Sequence, residues 1–133
     1  MLRILIMILM VALMMTGCAV SSDQTENNYR QITMSEAFVL MDEEVDYIIL
    51  DVRTPEEYKE KHIPSAINIP NEIIGAEVPK ELPDKEQLIF VYCRSGNRSK
   101  QAAQKLVDLG YTNIVEIGGI NDWPGEFVFE EQI

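Results

Sequence analysis

The sequence predicts an α/β fold of three layers, α/β/α, around a central, mostly parallel sheet of about five strands. Five short strand candidates, at 29–32, 47–50, 66–69, 88–92 and 113–117, alternate with helix-forming or loop segments. Such alternation is the pattern of a parallel, doubly wound sheet with helices on both faces. The run Leu88-Ile89-Phe90-Val91-Tyr92 shows no polar alternation, as expected of a strand covered on both sides. The chain has 133 residues, room for one small domain and little else.

The first stretch stands apart from that domain. Met1-Leu2-Arg3 forms a short positive head, and Ile4 to Met15 is an unbroken apolar run. The run is short for a transmembrane helix and right for the core of a signal peptide. It leads into Met15-Thr16-Gly17-Cys18, which resembles the lipobox of bacterial lipoproteins, with Met15 where that motif usually has Leu. The resemblance implies cleavage of residues 1–17 and lipid attachment at Cys18. The protein is then expected in the bacterial cell envelope, lipid-anchored on the extracytoplasmic side of the membrane. An uncleaved anchor is the alternative. Residues 18–28, the lipidated cysteine and a polar stretch without periodicity, read as a flexible tether. Its ten residues after Cys18 can reach roughly 33 Å when extended. Residues 29–133 form the expected domain.

Within it, 29–32 is a short strand. Thr33-Met34-Ser35-Glu36 has capping-box spacing, with Ala37, Phe38, Leu40 and Met41 as the apolar face of the helix behind it. Asp42 to Asp46 is an acidic turn and 47–50 a second strand, ending at Asp51. Thr54, Pro55 and Glu57 occupy the N-cap, first helical and capping-box positions of another helix. Pro64 and Pro70 bracket the strand at 66–69. Residues 71–77 suit a turn or two of helix, and 78–86, with two prolines, read as loop. The strand at 88–92 is followed by a helix whose apolar positions are Ala102, Ala103, Leu106, Val107 and Leu109, with Ser99 as N-cap and Gly110 as its stop. The last strand is 113–117. Gly118-Gly119 allows a sharp turn or a close approach, and 120–123 form a helical turn before Pro124.

The chemistry concentrates between the fourth strand and its helix, at Cys93-Arg94-Ser95-Gly96-Asn97-Arg98-Ser99. A short loop at a helix N-terminus can aim backbone N–H groups and the helix dipole at one point, making an anion cradle. Arg94 and Arg98 add positive charge, and a thiol in such surroundings ionises more readily than a free cysteine. A lone cysteine is more often a packing residue, but these polar flanks make no apolar socket. The chain holds two cysteines. With Cys18 assigned to lipid, Cys93 is left as a single, reactive thiol; a Cys18–Cys93 disulfide would need an uncleaved, unmodified leader.

This loop resembles the active-site loop of the rhodanese family of sulfurtransferases. Asp51 to Tyr58, running on to His62 to Pro70, and Gly118 to Trp123 resemble the motifs flanking that loop, in the same order. The three run from Asp51 to Trp123, and the resemblance covers about residues 29 to 129. The resemblance implies a rhodanese-like fold and transfer of a sulfane sulfur from thiosulfate or a persulfide to a thiol or cyanide. Cys93 would carry the sulfur as a persulfide. The substrate would be held by Arg94, Ser95, Gly96, Asn97, Arg98 and Ser99, their backbone N–H groups stabilising the persulfide. The arginines would attract the donor or, for Arg98, brace the loop through carboxylates. Asp51, Arg53 and Glu57 are expected to be supporting residues. Arg53 and Glu57 stand one helical turn apart, and Asp51 can accept from a loop N–H or an arginine. His62 and Trp123 read as packing residues, and no cofactor or metal is expected.

With Arg3 removed in the leader, 10 basic residues face 22 acidic ones, a net charge of −12. That argues against nucleic acid and against electrostatic membrane binding, so the lipid is the expected membrane contact. The expected partners are a small anionic sulfur donor and a thiol acceptor, either a small molecule or a thioredoxin-like protein. A monomer is expected. Two rival readings remain. A cysteine phosphatase of the related cell-cycle type has one more residue between its cysteine and arginine, whereas Cys93 and Arg98 are separated by four. The shorter loop suits a sulfur atom. A non-catalytic interaction domain would have no need of the cysteine and both arginines.

Overall fold

The computed structural model describes residues 28–130. The predicted leader, Cys18 and the tether up to residue 27 lie outside the described residues. The elements run β1 (Arg30–Gln31), α1 (Met34–Glu43), β2 (Tyr47–Asp51), α2 (Pro55–Glu60), β3 (Ile67–Asn68), a 3-10 turn (Asn71–Ile73), β4 (Leu88–Cys93), α3 (Asn97–Asp108), β5 (Ile114–Gly119) and a second 3-10 turn (Ile120–Asp122). The sheet has five strands in the order β1-β5-β4-β2-β3, and every pairing is parallel.

Side-chain alternation along β4 divides the core. Ile89, Val91 and Cys93 face the layer of α3, packing with Leu50, Val52, Ala102, Ala103 and Leu106. Phe90 and Tyr92 face the opposite layer, with Met34, Ala37 and Met41 of α1 and with Ile63, Val115 and Ile117. A central parallel strand buried on both faces can carry such an apolar run without exposing it. Both predicted capping boxes form: the hydroxyls of Thr33 and Thr54 accept from the N–H of Glu36 and Glu57, and each glutamate carboxylate accepts from the N-cap N–H.

Three expectations are corrected. Phe38 is not in the α1 core; it is 44% exposed and meets the edge of Trp123 at 5.2 Å. Helix α3 begins at Asn97, with Gly96 as its N-cap in the left-handed region (φ 98°), so Ser99 is not the cap. The glycine turns the chain at once, before a serine cap is needed. Strand β5 runs through Gly119 rather than ending at Ile117, because a bulge at Gly118 (φ 89°) lets it stay paired to β4.

Leu106 is fully buried in the α3 layer. Leu106→Ala is expected to cost about 2–5 kcal/mol through lost burial and an unfilled cavity. Urea unfolding would show this as a lower midpoint with an unchanged slope.

Candidate active site

The carboxyl end of β4 delivers Cys93 to the rim of the sheet, where ligands bind in open α/β folds. The side chain is 0% exposed and lies at the end of the apolar α3 layer, while Arg94, Ser95 and Asn97 are exposed. Sequence reasoning saw polar flanks and no apolar socket. The socket comes from other elements, Val52 of the β2 end and Ala102 and Ala103 of α3 among them.

Gly96 N–H donates to the Cys93 sulfur at 3.0 Å. Asn97, Arg98 and Ser99 form the first turn of α3, where no earlier turn can accept from their N–H groups. The sulfur thus faces a backbone donor and the positive end of a twelve-residue helix. The thiol also contacts Ser99 Oγ at 3.4 Å. Ser99 Oγ in turn lies 2.9 Å from the Gly96 carbonyl and 2.5 Å from Glu116 Oε1.

The loop is held from two sides. On the β2 side, Arg98 makes a bidentate pair with Glu57, at 2.7 Å from Nη1 to Oε1 and 3.1 Å from Nη2 to Oε2. This pair raises the Arg98 guanidinium above its ordinary value and, through the same hydrogen bonds, lowers the Glu57 carboxyl. On the β5 side, Glu116, 3% exposed, holds Ser99 and accepts from Gly118 N–H at 2.8 Å. Gly119 passes so close to the loop that a Cβ there would overlap the Arg94 carbonyl. The two arginines of the loop therefore differ. Arg98 is neutralised by Glu57, whereas Arg94 is exposed and, among the described residues, forms no ion pair.

Asp51 and Arg53 do not reach the sulfur. Arg53 pairs with Asp51 at 2.7 Å instead of with Glu57, and its Nη2 also donates to the Lys61 carbonyl. Tyr92 donates its hydroxyl to Asp51 at 2.7 Å, on the sheet face opposite Cys93. His62 stacks on Tyr58 with ring centroids 3.9 Å apart, and its Nδ1 lies 2.9 Å from the Tyr58 carbonyl. Beside the loop opens a cleft of about 730 Å³ lined by Ser95, Gly96, Lys100, Glu116 and Asp122. Sequence reasoning passed over Glu116. The available signal was a lone carboxylate inside an apolar run, Ile114-Val115-Glu116-Ile117.

Comparison with known proteins points one way. Residues 35–126 match the family described as rhodanese-like domain. Thiosulfate sulfurtransferase PspE of Escherichia coli is 40% identical over 73 residues, 55% of this chain and 70% of that one. Thiosulfate sulfurtransferase GlpE of Coxiella burnetii is 35% identical over 96 residues, 71% of this chain and 87% of that one. Three longer relatives, named adenylyltransferase and sulfurtransferase, are matched over only 19–21% of their own length. A solved structure described as rhodanese with anions from E. coli superposes with a TM-score of 0.58 at 36% identity, covering 62% of this chain and 98% of that one.

The Arg98–Glu57 pair yields a pH prediction. The carboxyl of Glu57 is lowered from an ordinary value of 4.5, so the pair stabilises the fold above that value. The contribution is lost as pH falls through the depressed one. Glu57→Gln is expected to lower stability at neutral pH by about 1 kcal/mol or less, since the pair is partly exposed. Thermal unfolding followed toward acid pH is expected to show the difference from the parent closing in the acid limb.

Proposed function

Because the chain belongs to the rhodanese-like domain family, we propose that it is a sulfurtransferase carrying sulfane sulfur on Cys93. The observation behind this reading is the Cys93 sulfur facing Gly96 N–H at 3.0 Å at the head of a helix. The Cys93 thiolate attacks the outer sulfur of thiosulfate. The new S–S bond takes that sulfur from thiosulfate, and sulfite leaves with the electron pair of the broken bond. The negative persulfide that results is stabilised by fixed donors that need no reorganisation. A thiolate or cyanide then attacks the outer sulfur, and the Cys93 thiolate is regenerated. Arg94 attracts the anionic donor, and Arg98 braces the loop through Glu57. The acceptor is a small thiol or a thioredoxin-like protein. The protein works as a monomer, without nucleic acid, anchored through a lipid on Cys18 to the extracytoplasmic side of a bacterial membrane.

Cys93→Ser is expected to abolish sulfite release from thiosulfate while leaving the unfolding transition in place. The parent protein, assayed at matched concentration on thiosulfate and an aryl phosphate, is expected to turn over only the first. Aryl phosphate turnover without sulfur transfer would overturn the assignment. The anchor has its own test. Cys18→Ala is expected to release the protein from membranes or stall its leader uncleaved, since a firm hold takes two acyl chains. Normal cleavage with full membrane retention would refute it.

A further inference from the structure

Strand β5 carries one buried carboxylate that the sulfur-transfer reading does not use. Glu116 is 3% exposed, and its Oε1 lies 2.5 Å from Ser99 Oγ. The Ser99 oxygen lies 3.4 Å from the Cys93 sulfur. The single proton of the serine hydroxyl has two candidate acceptors. The Gly96 carbonyl is at 2.9 Å and already accepts from Lys100 N–H, whereas the Glu116 oxygen is nearer. With that proton given to Glu116, a lone pair of Ser99 Oγ faces the thiol. The three groups form a directed chain, S–H to Oγ–H to carboxylate.

We propose that Glu116, acting through Ser99, is the proton store of Cys93. The proposal rests on Cys93 being the nucleophile. In the first half-reaction the thiol proton moves to Ser99 Oγ as the serine proton moves to Glu116 Oε1. This leaves a thiolate, a serine hydroxyl donating to it and a neutral carboxyl. The thiolate then takes the outer sulfur of thiosulfate and sulfite leaves. In the second half-reaction an acceptor thiolate takes the sulfur from the persulfide. The proton returns from Glu116 through Ser99 to the Cys93 sulfur as the S–S bond breaks, restoring the starting thiol. No proton has to cross the buried site from water, and no charge is added to it in the first transfer. The other charged groups around Glu116 are Lys100 on α3, Glu36 on α1 and Asp122 after β5, all exposed and all lining the same cleft. Glu36 is engaged in its own capping box with Thr33. None of them is hydrogen-bonded to Ser99.

The test follows Cys93 itself, by its alkylation rate with iodoacetamide, read by peptide mass spectrometry on the full chain, alongside sulfite release from thiosulfate. Glu116→Gln keeps the shape and removes the acceptor. It is expected to slow both reactions near neutral pH by about a hundredfold, the low end for a positioned proton acceptor. The deficit is expected to close about one unit above the free-thiol range near pH 8.5, where solvent takes the proton directly. Ser99→Ala should behave alike, and Ser99→Thr, which keeps the hydroxyl, should restore the parent rates. A carboxylate that merely repels a thiolate predicts the opposite sign, faster alkylation in Glu116→Gln, and that result overturns the proposal. A loss equal at every pH marks a structural role and overturns it too. Alkylation that follows the expected pattern without any sulfite release would leave the relay standing and sink the sulfurtransferase reading. If Glu116→Gln fails to fold, the Ser99 pair decides by the same criteria. A parent protein that neither alkylates at Cys93 nor releases sulfite overturns both readings.

Discussion

Asp51 has no exposed surface, and the fold surrounds its two oxygens with hydrogen-bond donors. Its Oδ1 accepts from the N–H and Nε of Arg53, and its Oδ2 from Arg53 Nη2 and the hydroxyl of Tyr92. Burial by itself pulls the Arg53 guanidinium down, but the hydrogen bond and charge of Asp51 reverse this and leave it raised. Burial, then the Asp51 charge, pushes the Tyr92 phenol up, so it remains a donor. Tyr92 also accepts from Ile63 N–H, and Arg53 Nη2 donates to the Lys61 carbonyl. One buried charge thus ties the ends of β2 and β4 to the segment that leads into β3. Removing one partner would strand the other, at a cost of about 3–5 kcal/mol.

That knot fixes where α2 starts, and α2 carries Glu57. Thr54 caps the helix one residue after Arg53, and Glu57 both completes the capping box and receives Arg98 from the loop. The opposite wall is built differently. Between Val91 and Cys93 of β4, the partners on β5 run from Glu116 to Gly119, one residue more. The extra residue bends β5 toward the loop, and Gly119, lacking a Cβ, lets the Arg94 carbonyl lie against it. Glu116 sits at the start of that bulge with its carboxylate under Ser99. The loop is therefore clamped between a partly exposed ion pair and a buried hydrogen-bonded carboxylate. The second holds Ser99, whose hydroxyl is in contact with the sulfur.

Much of this was legible in the sequence because it is local. The capping boxes at Thr33 and Thr54, the doubly buried β4 and the stop at Gly110 depend on residues within a turn of each other. The partners of the loop were not legible. Arg98 and Glu57 are 41 positions apart, and Ser99 and Glu116 are 17 apart, so spacing could not pair them. Reading Arg53 with Glu57 as helix neighbours failed for a related reason. Arg53 precedes the N-cap, off the helix, and its side chain turns back to Asp51. Ser99 suits an N-cap by type, but Gly96 holds the position by adopting a backbone angle that side chains rarely reach.

The charge distribution follows from the same bracing. A body with twice as many acidic as basic residues repels an anionic donor at a distance, so attraction must be local. Of the cations beside the sulfur, Arg98 is committed to Glu57, leaving Arg94 and Lys100 exposed on the loop and the first turns of α3. Their charges work at the mouth of the site, while the dipoles of Gly96 N–H and the helix head work at the sulfur. Exposed cations at the rim could not stabilise a buried sulfur without being desolvated themselves. Fixed N–H dipoles bear no such penalty. The loop thus presents at its mouth an exposed arginine, unpaired among the described residues, and fixed backbone donors at the sulfur, with Arg98 held in its pair with Glu57.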